Sequence, residues 1–146
     1  MEPFDWMEMM EKMQEIRLFS SLHIRGKREG AASPQELDVL SRILLSDEPL
    51  TPLDLAALTG LSKSAVSRLI ERLEKKRFIN KQYNKKDKRS YTLYATPLGN
   101  EELDLACQHY LEPVYKLRRT IGEERFQQLT ALIEEANDML QKEAEQ

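Results

Sequence analysis

Apolar residues recur in steps of three and four along most of this chain, the period of helices with one buried face. Trp6, Met9, Met10, Met13, Ile16, Phe19 and Leu22 predict a long first helix between Phe4 and Ile24. Gly26 and Gly30 interrupt the pattern, and residues 26–32 read as a linker. Ser33, Pro34 and Glu36 have the spacing of an N-cap, a first helical proline and a capping-box acid. The helix they open carries Leu37, Leu40, Ile43 and Leu44 on one face and ends near Ser46 and Asp47. Thr51-Pro52 opens a short helix with Leu55, Ala56 and Leu58 inside, and Gly60 stops it. Ser62 caps the next, whose inner face is Val66, Leu69, Ile70 and Leu73.

The period then shortens. Ile79–Tyr83 and Tyr91–Ala95 are short and β-prone, and Asn84–Ser90 between them is polar and basic, so the pair predicts a hairpin with a charged tip. Thr96-Pro97 starts another helix with the stripe Leu103, Ala106, Tyr110, Val114, Leu117 and Ile121. Pro113 lies inside it and is expected to kink or break it, having no N–H to donate. Past Gly122, Phe126, Leu129, Ile133, Ala136 and Leu140 keep the narrow seam of helices packed side by side. The expected fold is mainly α with a small β-hairpin wing (α+β).

Charge sharpens this picture. The chain of 146 residues carries a formal net charge of −3, yet eleven basic residues stand against three acidic ones between Ser62 and Arg89. That window nets +8, so the remainder carries −11. One basic segment in an acidic body is the asymmetry of a local phosphate-binding surface. A single cysteine, Cys107, excludes an internal disulfide and a multi-cysteine zinc site, and His23 and His109 alone are thin material for a metal enzyme. No apolar run approaches the roughly 18 residues of a membrane span, and the acidic start (Glu2, Asp5, Glu8, Glu11) is unlike a secretory signal, so a cytoplasmic protein is expected. A glycine-rich phosphate loop, an H-E-x-x-H and a nucleophile with a paired base are all missing, which points away from an enzyme and from a bound cofactor or metal.

Pro52 to Glu71, PLDLAALTGLSKSAVSRLIE, has the spacing of a helix-turn-helix. Ala56 supplies the small residue where the helices cross, Gly60 the turn residue tolerant of positive φ, and Val66 the buried aliphatic of the second helix. Leu55, Leu61 and Leu69 complete the small core. The second helix then offers Ser62, Lys63, Ser64, Ser67, Arg68 and Arg72 to double-stranded DNA. Arg68 is the candidate for base contact, because a guanidinium can pair with both acceptors of guanine. Thr51, Ser62 and Ser64 suit phosphate oxygens, with capping as the plainer role of Ser62. At the hairpin tip, Lys86, Lys88 and Arg89 form the candidate minor-groove contact, with Asp87 expected to hold the Arg89 side chain by a bidentate pair.

These residues resemble the MarR (multiple-antibiotic-resistance regulator) family. The resemblance rests on LTPLDLAALTGLSKSAVSRLIERLEKKRFI, Leu50 to Ile79, and on DKRSYTLYATPLG, Asp87 to Gly99, where Asp87, Arg89, Thr96 and Gly99 match the family pattern. It implies a homodimer, with residues 1–32 and 97–146 as a helical dimerisation region and 33–96 as the winged DNA-binding lobe. Dimer symmetry would set the recognition helices about 34 Å apart on a pseudo-palindromic operator. It also implies a repressor released by a small-molecule effector, for which Trp6, Met10, Met13, His23 and Tyr110 are the candidate pocket residues, although the same side chains suit a plain dimer core. The first helix lacks the cysteine of the family's peroxide sensors. Two positions depart from the family pattern: Arg77 where glycine is common, and Ala95 where leucine is usual. A winged-helix module for protein or RNA contacts, without operator recognition, is the alternative.

Overall fold

A computed structural model describes residues 6–21 and 32–145. Along these the order is α1 (Trp6–Ser21), α2 (Pro34–Leu45), α3 (Pro52–Thr59), α4 (Lys63–Lys75), β1 (Ile79–Tyr83), β2 (Tyr91–Ala95), α5 (Pro97–Tyr110), α6 (Glu112–Ile121) and α7 (Glu123–Ala144). The chain divides into two compact units, Gly26–Tyr110 and Met1–Arg25 with Leu111–Gln146. The fold is therefore mostly helical with one two-stranded antiparallel sheet among the described residues.

The unit Gly26–Tyr110 holds the core. Leu40, Leu55, Val66, Ile70, Leu73, Ile79 and Leu93 are fully buried in it, so α2, α3, α4 and the hairpin close on one apolar centre. Two expected inner residues lie elsewhere: Leu44 and Leu58 are exposed, and on α2 it is Val39 that is sealed. Val39 stands four before Ile43 and shares its face; Leu44 likewise shares the face of Leu40, but it lies next to the last residue of α2 and stays open there. The hairpin pairs Ile79 with Ala95 through Tyr83 with Tyr91, and the N–H of Leu93 also donates to the carbonyl of Leu50 at 2.9 Å.

Helix starts follow the caps. Ser33 accepts from the N–H of Glu36, and Thr51 and Asp54 cap each other reciprocally, Thr51 Oγ1 accepting at 3.2 Å and Asp54 Oδ2 at 2.9 Å. The capping-box role expected of Glu36 is replaced by a different one. Its buried carboxylate accepts from Lys76 Nζ at 2.6 Å, joining the first turn of α2 to the end of α4.

At Pro113, where a kink or break is expected, the helix is broken. α5 stops at Tyr110 and α6 begins at Glu112, with Pro113 in the first turn where a missing N–H costs no bond. The division falls at the unit boundary. α5, grouped by its sequence with the terminal helices, packs on α2 through buried Leu103 and Ala106. In the second unit α6 packs on α7, with Gly122 (φ 88°) between them.

α4 ends in a Schellman closure. The N–H of Phe78 donates to Leu73 O and that of Arg77 to Glu74 O, both at 2.9 Å, while Leu73 and Phe78 are buried together. This closure puts Arg77 at φ 66°, the one non-glycine residue with positive φ among those described. The arginine thus adopts the left-handed cap and carries its strain. Arg77→Gly is expected to raise stability by about 0.5–1 kcal/mol, the left-handed penalty less the freedom glycine gains when unfolded. A urea titration with unchanged slope and a higher midpoint checks this; an unchanged midpoint contradicts it.

Candidate nucleic-acid interface

The helix-turn-helix forms as its spacing requires. Gly60 closes α3 at φ 74°, Ala56 packs against the core and Val66 is fully buried. With Val66, Leu69, Ile70 and Leu73 inside, the 100° step per residue turns Ser64, Arg68, Glu71 and Lys75 directly outward. Ser67 and Arg72 flank that stripe, and all six side chains are exposed. Ser62 caps α4, its Oγ accepting from Ala65 N–H at 3.2 Å and lying 3.3 Å from Ser64 Oγ. Thr51 is half-buried at the start of α3, its oxygen engaged by Asp54 N–H.

Arg68 and Arg72 line an open groove with Leu61, Ala65, Leu69 and Gln35. Gln35 comes from the start of α2, 33 residues before Arg68, so nothing local in the sequence marks it as a neighbour. Among the described residues Lys63, Arg68 and Arg72 form no ion pair. Two uncompensated guanidiniums one helical turn apart favour an anion between or before them.

The wing tip, Asn84–Ser90, is exposed throughout and carries Lys85, Lys86, Lys88 and Arg89. Its backbone is held by side chains. Asn84 Oδ1 accepts from Lys86 N–H at 2.9 Å, and Asn84 N–H donates to Ser90 O at 2.8 Å. Asp87 does not pair with the Arg89 guanidinium. Its Oδ1 accepts from the Arg89 backbone N–H at 3.0 Å and its Oδ2 from the Ser90 hydroxyl at 3.3 Å. An aspartate two residues before an N–H closes an Asx turn, and that local bond leaves the arginine side chain free to reach outward.

Below the tip, Lys81 extends between two elements. Its Nζ is 3.5 Å from Glu74 Oε1 on α4 and 4.8 Å from the ring centre of Tyr91 on β2. The Tyr91 ring in turn meets that of Tyr83 at 5.6 Å. In the sequence Lys81 registers only as one more positive charge.

The candidate effector residues fall in different places. Trp6, Met10 and Met13 are exposed on α1, Tyr110 ends α5, and His23 lies outside the described residues. The Tyr110 phenol is pushed above its ordinary pKa, first by burial and then by the negative charge of Asp38. Cys107 is half-buried against the core.

A family model described as MarR family matches residues 33–90. The winged lobe is a MarR family domain. Proteins of that family are regulators of transcription, not enzymes. Solved structures share the fold of this chain over most of its length. A MarR protein from Peptoclostridium difficile is 20% identical with a TM-score of 0.76, covering 98% of this chain and 93% of its own. A mutant MarR from E. coli, complexed with operator DNA, is 18% identical with a TM-score of 0.76, covering 92% and 99%. The regulator BpsR from Bordetella bronchiseptica, whose DNA binding is regulated by 6-hydroxynicotinic acid, is 13% identical with a TM-score of 0.76, covering 86% and 98%. No curated protein matches the sequence. Among the described residues no helix is long and apolar enough to cross a membrane.

Proposed function

We propose that this chain is a sequence-specific, DNA-binding transcriptional regulator of the cytoplasm that grips a pseudo-palindromic operator as a homodimer and represses by occupying it. The observation that carries the reading is the outward face of α4. Arg68 and Arg72 stand there without ion-pair partners among the described residues, on the second helix of a helix-turn-helix, and the same compact unit carries four lysines and arginines on an exposed wing tip. In this reading α4 enters the major groove with Arg68 at a base edge. Lys63, Ser64, Ser67 and Arg72 meet the sugar-phosphate backbone, and Lys86, Lys88 and Arg89 reach the adjacent minor groove.

Dimerisation is supported by the terminal unit. None of α1, α6 and α7 contains a buried residue. Trp6, Ile16, Leu132, Met139 and Leu140 are each more than 60% exposed, an apolar display that a lone chain rarely tolerates and a second copy would cover. Residues 33–96 then form the DNA-binding lobe, α5 leads out of it, and the remaining helices make the dimer surface. Release by a small aromatic effector is part of the proposal. Its support is the regulation of BpsR by 6-hydroxynicotinic acid and the adaptable methionines of α1.

The test is fluorescence anisotropy of the full chain, across a salt series, on DNA from upstream of its own gene, on scrambled DNA and on duplexes enriched from a random pool. Tight, salt-graded binding with a large sequence preference is expected, and Arg89→Ala should weaken it most where A·T flanks narrow the minor groove. A pool from which no sequence is enriched would overturn the reading.

A further inference from the structure

A two-stranded ribbon is marginal by itself and twists readily, so the direction in which a wing tip points needs a support beyond its own ladder. Here the support is visible. Tyr83 and Tyr91 are the last cross-strand pair before the tip. Their rings touch, and Lys81 sits over the Tyr91 ring. The lysine side chain is only 15% exposed and its ammonium is held by Glu74 on α4. Glu74 lies in the last turn of that helix, where the negative end of the helix dipole disfavours a carboxylate unless a cation stands beside it. Each member of the chain therefore has a reason to keep its neighbour. Together they join the helix that carries Arg68 to the ribbon that carries Arg89.

We propose that Glu74, Lys81 and Tyr91 form a strut that fixes the wing tip relative to the recognition helix, and that Lys81 is a positioning residue for the minor-groove contact of Arg89. The inference rests on the DNA-binding reading above. Lys81 need not touch DNA: its ammonium is turned to Glu74 and Tyr91. Its effect is to hold Arg89 ready while Arg68 is seated, so that binding spends less conformational freedom on ordering the wing.

The experiment is a double-mutant cycle on the full chain, using operator duplexes with A·T or G·C flanks. Lys81→Met keeps the aliphatic stem and removes the charge. It should weaken binding to the A·T-flanked operator about fivefold, the scale of coupling between contacting groups. Binding to the G·C-flanked operator should change far less. Lys81→Met combined with Arg89→Ala should bind no more weakly than Arg89→Ala alone, and Lys81→Arg, which can still meet the carboxylate and the ring, should restore flank discrimination. If Lys81→Met proves poorly folded, Glu74→Gln gives the same cycle with its bulk preserved. Losses from Lys81 and Arg89 that simply multiply, or an equal loss on both flanks, would show a direct phosphate contact or mere fold support and would overturn the strut. Failure of the underlying reading has a different signature: the unmodified protein would show no operator preference at all.

Discussion

Gly99→Ala is expected to lower stability by about 3 kcal/mol or more, the upper range of overpacking costs, with a fall in melting temperature of roughly 6–12 °C for a chain of this size. A methyl group at position 99 would stand 2.2 Å from the carbonyl oxygen of Phe78. That oxygen cannot retreat cheaply. It accepts from Thr96 N–H at 3.0 Å, while Thr96 Oγ1 donates to Arg77 O at 2.6 Å and accepts from Gly99 N–H at 3.0 Å. One threonine thus pins the first turn of α5 to the corner between α4 and β1, and glycine is what lets the two backbones come that close. Gly60 offers the contrast. A methyl there meets nothing within 4 Å, and only its φ of 74° is demanding, so Gly60→Ala should cost about 1 kcal/mol. Urea unfolding of the two variants side by side decides the matter, and equal losses would mean that the close approach at Phe78 relaxes freely.

Arg68→Ala should cost about 1–3 kcal/mol on the operator, a loss of five- to more than a hundredfold, and should relax the preference at one base pair of each half-site. Arg68 points away from the core in the first half of α4 and has no ion-pair partner among the described residues to hold it back. Arg72 is one turn further along and is expected to behave differently. Its removal should weaken binding to operator and random DNA alike and lower the salt slope by about one. Titrations of both variants on both DNAs, at several salt concentrations, separate a base contact from a phosphate contact. An equal loss of operator and random-DNA binding for Arg68→Ala would sink its base-reading role.

Much of the lobe was legible because its signals are local. Ser33, Thr51 and Ser62 announce helix starts by chemistry acting over three residues, and Ala56, Gly60 and Val66 mark a crossing within eleven. What escaped is long-range. Glu36 has the spacing of a cap, but a lysine forty residues away offers a full charge in a buried place, and the carboxylate turns to it. Asp87 erred in the other direction: the expected guanidinium pair yielded to a backbone N–H two residues along, which is nearer and already ordered. Leu44 and Leu58 fit their stripes by a step of one turn, yet each falls at the edge of a helix whose burial is set by the neighbouring elements. The terminal helices show the same limit: their apolar seams are plain in the sequence, but which surface covers them is not a local property.

The bond from Leu93 to Leu50 has a further consequence. It covers the outer side of β2 at its middle residue, which leaves β1 as the more open edge of the ribbon among the described residues. Open edges invite strands from other molecules, and aggregation often begins there. β1 reads INKQY, with three polar residues in its middle and a lysine whose charge points inward. An incoming strand would gain little apolar contact along that edge and would have to disturb an ion pair. The wing is thereby protected against growth by strand addition.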